Sequence, residues 1–116
     1  MNEAEQFFYD HAGYSYPTGA NEEIIDEHRR ASARRLAEAE AWASDHVTWR
    51  WSHDDDADLS WHDDPSSVVE VLGCEALRPC GCCGHMQTVG SLWGIVDPDD
   101  DYRRVVEAEI ALEAMP

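Results

Sequence analysis

The sequence contains no lysine, and all eight of its basic residues are arginine. Against them stand 25 acidic residues, so the net charge is −17 and the sequence pI is near 4.4. Nucleic-acid affinity is built from Lys and Arg side chains that neutralise phosphates and displace counterions. An anionic membrane surface demands the same positive charge. The charge balance therefore argues against direct contact with nucleic acid or with a membrane surface.

Long apolar runs and a basic leader are also missing. No stretch approaches the roughly 18 apolar residues of a membrane span. The first residues, Met1–Glu5, are acidic where a secretory leader is basic. These features predict a cytoplasmic protein with reduced thiols. The 116 residues, 43% of them hydrophobic, suit one domain with one core.

The known signatures of enzymes are missing as well. The chain has no Gly-rich phosphate loop, no nucleophile elbow and no His-Glu-x-x-His motif. Cys83 and His85 are better explained as metal ligands than as a nucleophile and its base. No catalytic residue is therefore assigned, and the sequence favours a non-enzymatic protein.

The apolar pattern predicts a helix, three strands and a second helix. The first helix begins after Asn21, a good N-cap, and has apolar residues with a period of 3.6. The pattern then alternates over residues 47–52, which indicates a strand. Two further strands are predicted over residues 67–76 and 86–96. Asp97 and Pro98 suit the N-cap and first position of the last helix.

Short connections between these elements favour an antiparallel meander, with both helices on one face of the sheet. The sequence therefore predicts an α+β fold. Its order of elements resembles that of the double-stranded-RNA-binding domain. The resemblance covers topology only, because that family has basic residues at the start of its last helix. This chain has Asp99–Asp101 there, so RNA binding is not expected.

The N-terminal segment, residues 1–20, is predicted to be an irregular arm outside a single domain formed by residues 21–116. Gly13, Pro17 and Gly19 interrupt any regular element in its second half. The arm is rich in aromatic residues: Phe7, Phe8, Tyr9, Tyr14 and Tyr16. Their rings either pack over one edge of the core or form a contact patch for a protein partner.

A cysteine-rich hairpin tip is predicted at residues 74–85. Cys80-x-x-Cys83-Gly84 has the form of a zinc knuckle, and tetrahedral zinc takes four nitrogen or sulfur ligands. Free thiols and redox chemistry are the alternatives to a structural zinc ion. The candidate ligands are Cys74, Cys80, Cys82, Cys83 and His85.

The acidic residues are concentrated in two segments of the chain. These contain Asp54, Asp55, Asp56, Asp58, Asp63 and Asp64, and then Asp97, Asp99, Asp100 and Asp101. Neither segment fits a calcium-binding EF-hand loop, since position six is Leu59 in one and Tyr102 in the other. The excess of carboxylates either promotes solubility or imitates the charge of nucleic acid.

Three stretches carry a resemblance to other proteins: Phe7–Tyr16, Leu36–Trp42 and Tyr102–Ala114. In these stretches the chain resembles small acidic proteins, of unassigned activity, encoded by actinobacteria and their phages. The resemblance implies the cytoplasm of a bacterial cell or phage host, and it implies no activity.

The sequence thus predicts a non-enzymatic acidic protein that binds a basic protein partner. In its most specific form this is a nucleic-acid mimic that inhibits a nucleic-acid-handling protein. The alternative is a zinc-stapled structural or adaptor domain that makes its contacts through the aromatic arm. The oligomeric state stays open, a homodimer included.

Overall fold

The computed structural model describes all residues from Met1 to Pro116. Its elements are α1 (Glu3–His11), α2 (Glu22–His46), β1 (Thr48–His53), a 3-10 turn (Pro65–Ser67), β2 (Val71–Pro79), β3 (Met86–Val96) and α3 (Asp100–Ala114). The three strands form one antiparallel sheet in the order β1-β2-β3. The predicted α+β fold and its antiparallel meander are confirmed. None of the helices combines the length and the apolarity that crossing a membrane requires.

The core lies between one face of the sheet and the helices. Cys74 and Ile95 of this face pack against Val106 and Ile110 of α3. Helix α2 packs on α3 in turn, through small residues that let the two helix axes approach closely: Ala39, Ala43 and Ala111. The other face of the sheet has no helix on it.

The N-terminal segment is not the irregular arm that was predicted, because residues 3–11 form α1. The side chain of Asn2 accepts a hydrogen bond from the backbone N–H of Glu5 at 2.8 Å and caps the helix. Phe8 is fully buried and packs with Leu36 of α2 and Val105 of α3. The N-terminal segment is therefore part of the core, and the boundary drawn at residue 20 does not separate an arm from a domain.

The sequence predicted the N-cap residue of each of the two longer helices, and the structure bears out one of the two. Asn21 caps α2, as predicted, by accepting from the backbone N–H of Ile24. The cap of α3 is Asp99, which accepts from Tyr102 at 2.7 Å, and the prediction of Asp97 is wrong. Asp97 instead has a left-handed backbone with φ 42°, and its carboxylate accepts from the backbone N–H groups of Val69 and Glu70. Asp97 thus fixes the start of β2 and leaves the helix cap to Asp99.

Candidate functional sites at the two ends of the sheet

The turn between β2 and β3 brings three thiols together. The backbone N–H of Cys80 donates to the carbonyl of His85 at 2.7 Å and closes the hairpin. Gly84 has φ 73°, a left-handed conformation that glycine adopts without strain. Within this turn the sulfurs of Cys80, Cys82 and Cys83 all lie within 4.8 Å of one another. From here on the name hairpin tip means these three residues only, a narrower set than the predicted range 74–85. Their spacing allows them to hold a metal ion.

The hairpin tip also polarises one of its thiols. The backbone N–H of Cys82 points at the sulfur of Cys80, the thiol of Cys82 lies 3.1 Å from it, and Cys83 adds further hydrogen bonds. These donors stabilise a thiolate and lower the pKa of Cys80 to about 7. The same contact with Cys80 raises the pKa of Cys82. A thiolate held by backbone N–H groups is the form of cysteine that binds metals.

Two of the five predicted ligands lie outside this cluster. Cys74 is fully buried among core residues on the helix-facing side of β2. Burial raises its pKa to about 12, with a further contribution from Glu107. Cys74 is separated from Cys80 by most of the length of β2, so it does not join the hairpin tip. His85 is exposed at the base of the turn, directly across the hairpin from Cys80, and its ring is not among the clustered ligand atoms.

The opposite end of the sheet brings the two acidic segments together. β1 and β3 both run toward the start of β2, so the residues that follow them leave the sheet at the same end. Asp54 donates its backbone N–H to Val71, and its carboxylate accepts from Gly94 of β3 at 3.0 Å. Asp97 lies at the same end of the sheet, where its backbone N–H donates to the carbonyl of Glu70 and its carboxylate accepts from the N–H of Glu70. The sequence could not place the two segments relative to each other, and the sheet topology does so.

We call this region the acidic end. It comprises Asp54, Asp55, Asp56, Asp58, Asp63, Asp64, Glu70, Asp97, Asp99, Asp100 and Asp101. Two basic side chains contact it: Arg103 forms an ion pair with Glu70, and His11 lies against Asp101, each at 3.5 Å. The other salt bridges involve Arg30, Arg50 and Arg104 and lie elsewhere. Most carboxylates of the acidic end therefore have no cationic partner within the chain.

The acidic end and the hairpin tip are far apart. β2 connects them with nine residues, and about 3.3 Å per residue places them about 25–30 Å apart. A ligand of one site therefore does not touch the other.

The predicted aromatic residues do not form a contact surface. Phe8 is fully buried, and Phe7, Tyr9 and Tyr14 are partly buried against the same core cluster. The hydroxyl of Tyr14 donates to the carbonyl of Phe8, and the guanidinium of Arg104 covers the ring of Phe7 at 4.1 Å. Only Tyr16 has an exposed side chain. Of the two sequence interpretations, the structure supports packing against the core.

Sequence reasoning missed one member of the acidic end, Glu70. It immediately precedes β2, and its carboxylate pairs with Arg103, the only arginine that forms an ion pair with the acidic end. A carboxylate at the start of the central strand of a meander is brought beside the residues that follow both neighbouring strands. With correct strand boundaries, the sequence alone would therefore have placed Glu70 in the acidic end.

Comparison of this chain with models of protein families, with curated proteins and with solved structures finds no match.

Proposed function

We propose that this protein is a non-enzymatic binding protein whose acidic end recognises a basic protein surface. The observation that carries the proposal is the convergence of the two acidic segments at one end of the sheet, where a single arginine forms an ion pair with them. Unpaired carboxylates in one region attract a cationic partner and speed its association. The basic groove of a nucleic-acid-handling protein has the complementary charge, because it normally faces a row of phosphates.

The structural roles of the individual carboxylates determine which of them to change. Asp54, Asp97 and Asp99 accept hydrogen bonds from backbone N–H groups, so their replacement would disturb the fold as well as the charge. Four other carboxylates of the acidic end make no such bond: Asp55, Asp56, Asp63 and Asp100. These four are the ones to neutralise.

Neutralising these four residues to Asn is expected to weaken partner binding by about tenfold or more, since each lost charge contributes a few tenths of a kcal/mol to Coulomb attraction. The matched control neutralises four exposed carboxylates outside the acidic end: Glu23, Glu27 and Glu38 to Gln, and Asp45 to Asn. Both variants have the same net charge, so the comparison isolates position from total charge.

The measurement uses immobilised wild-type protein and both variants, each exposed to a bacterial lysate and then eluted with duplex DNA. Basic proteins are expected to elute from the wild-type and control columns. Much less of them should elute from the column that carries the variant neutralised at the acidic end. Affinities of a purified eluted protein should also fall with rising salt. Equal retention by the two variants, or retention that salt does not weaken, would contradict the proposal.

The hairpin tip supports a second function, the binding of a structural Zn²⁺ ion by Cys80, Cys82 and Cys83. Three thiolates leave one position of a tetrahedral site to fill. His85 is the nearest candidate, since residues opposite each other across a hairpin have Cβ atoms about 4.5–5.5 Å apart. The ion would join the two strands at their ends and stabilise the turn.

Removal of zinc is therefore expected to lower the unfolding temperature, and a ligand at 100-fold its Kd adds about 2.7 kcal/mol to the free energy of unfolding. Metal analysis of the purified chain should find a single Zn²⁺ per molecule. Replacing Cys80, Cys82 and Cys83 together by Ser should abolish uptake, and His85→Ala should weaken it. Cys74→Ala is the control and should bind as the wild type does. Undiminished uptake by the triple variant would exclude this site.

A further inference from the structure

β3 forms an unprotected edge of the sheet. It is the longest strand, with eleven residues, and its only neighbour is β2. None of the backbone hydrogen bonds outside the helices and the sheet involves residues 86–96. Apart from the N–H of Gly94, which donates to the carboxylate of Asp54, the N–H and C=O groups of β3 that do not face β2 are therefore free to pair with another strand.

The composition of β3 makes this edge unusual for the chain. Charged residues make up 28% of the sequence, yet residues 86–96 contain none. Met86, Leu92 and Trp93 are 50%, 40% and 48% exposed along it. Proteins commonly protect a sheet edge by charge, by proline or by a short strand. β1, the other edge, has only six residues and carries Arg50, so it is protected in two of these ways.

The irregularities of β3 are symmetric about its centre. Two register shifts interrupt its pairing with β2, one at Val89 and one at Trp93–Gly94. The segment between them is centred on Ser91. A second β3 placed antiparallel about Ser91 would therefore set Val89 against Trp93, so that a bulge in each copy faces a bulge in the other.

We propose that β3 pairs antiparallel with β3 of a second copy of this chain, forming a two-fold dimer with one continuous sheet. Ser91 then lies on the two-fold axis and faces its own equivalent. Pairing of free strand edges is an established mode of association.

The lack of charge on β3 itself favours a second copy, whose β3 is equally neutral, over a basic partner at this edge. The nearest carboxylates, those of Glu75, Glu109 and Glu113, belong to β2 and α3 and not to the strand that would pair. Antiparallel pairing also sets the acidic end of each copy beside the hairpin tip of the other, with His85 opposite Asp97. Two chains of charge −17 thus meet along their neutral strands, and their acidic ends lie about a strand length apart.

This arrangement predicts a salt dependence opposite to that of the acidic end. Salt screens the repulsion between two anionic copies, so dimerisation should strengthen as salt increases. Binding of a basic partner should weaken under the same conditions. The two proposals can therefore fail independently of each other.

The test begins with the mass of the full chain by sedimentation over a range of concentrations at low and high salt. Wild-type protein should approach twice 13.1 kDa. Ser91→Glu sets two anions opposite each other on the axis, each beside Glu75 of its own chain, and should raise the dimer dissociation constant at least about tenfold. Thr48→Glu, on the exposed edge strand β1, is the matched control and should leave the mass unchanged.

A cross-link tests the register directly. Ser91→Cys, in a chain whose Cys80, Cys82 and Cys83 are replaced by Ser, should form a covalent dimer with a short thiol-reactive linker. Thr48→Cys in the same background should not. Any one of three results would overturn the proposal: a wild-type chain that stays monomeric in high salt at its highest soluble concentration, a Ser91→Glu variant that dimerises as tightly as the wild type, or a Ser91→Cys variant that does not cross-link.

Discussion

Phe8→Ala is expected to lower the free energy of unfolding by about 3–5 kcal/mol, the usual cost of removing a buried phenyl ring. Phe8 has no exposed surface and lies where α1 meets α2 and α3. Ala33 and Ala108 line this site, and such small side chains cannot move in to fill the cavity. The loss is a large part of the roughly 5–15 kcal/mol that stabilises a domain. Urea unfolding followed by far-ultraviolet circular dichroism measures it.

Tyr16→Ala is the matched control, because Tyr16 comes from the same segment but has a 38% exposed side chain. Its effect should stay below about 1.5 kcal/mol, because truncation removes only the ring contacts of Tyr16 with Tyr14 and His28. Equal effects of the two substitutions would show that the segment does not belong to the core.

The elements whose signals are local could be predicted from the sequence. Asn21 precedes a long 3.6-residue pattern, and one residue type at one position is enough to cap a helix. β3 is bounded by the glycine-rich turn on one side and by Asp97-Pro98 on the other, and its predicted range, residues 86–96, is confirmed. The start of β2 was predicted four residues too early, because residues 67–70 form a connection that the apolar pattern does not distinguish from a strand.

α1 was missed although a local signal for it exists. Asn2 followed by Glu3 and Glu5 is an N-cap with acidic residues in the first turn. The helix has only nine residues, and isolated helices of that length are marginal in water. It is stable here because Phe8 is buried, and burial depends on where α2 and α3 lie. The interruptions at Gly13 and Pro17 mark its end and do not prevent it.

The choice between Asp97 and Asp99 as the cap of α3 could not be made locally either. Both residues have an acceptor and both precede residues that suit a helix. Tertiary structure decides, because the start of β2 presents two backbone N–H groups to Asp97. The candidate metal ligands also divide into those that local sequence identifies and one whose role tertiary structure decides. Cys80, Cys82 and Cys83 share one turn, whereas the role of Cys74 depended on which face of β2 it occupies.

Gly73→Ala is expected to cost about 1–3 kcal/mol of unfolding free energy, the range typical of overpacking. Gly73 lies on the face of the sheet without helices, and a Cβ there would come within 1.9 Å of the ring of Trp93. The three nearest atoms all belong to this ring. Gly73 does not have a positive φ, so alanine introduces no backbone strain and the cost is steric.

Removal of Trp93 should therefore reverse the sign of this effect. In a Trp93→Ala background the space is free, and Gly73→Ala should stabilise by about 0.4–1 kcal/mol because it restricts the unfolded chain. Urea unfolding of the four chains at one protein concentration gives the coupling energy of the pair. Additive effects would mean that the indole does not cover Gly73. A coupling of the expected sign would show that the ring of Trp93 occupies the space that a side chain at residue 73 would need. Glycine at this position of the central strand therefore lets Trp93 lie against the backbone of β2, next to the edge that we assign to dimerisation.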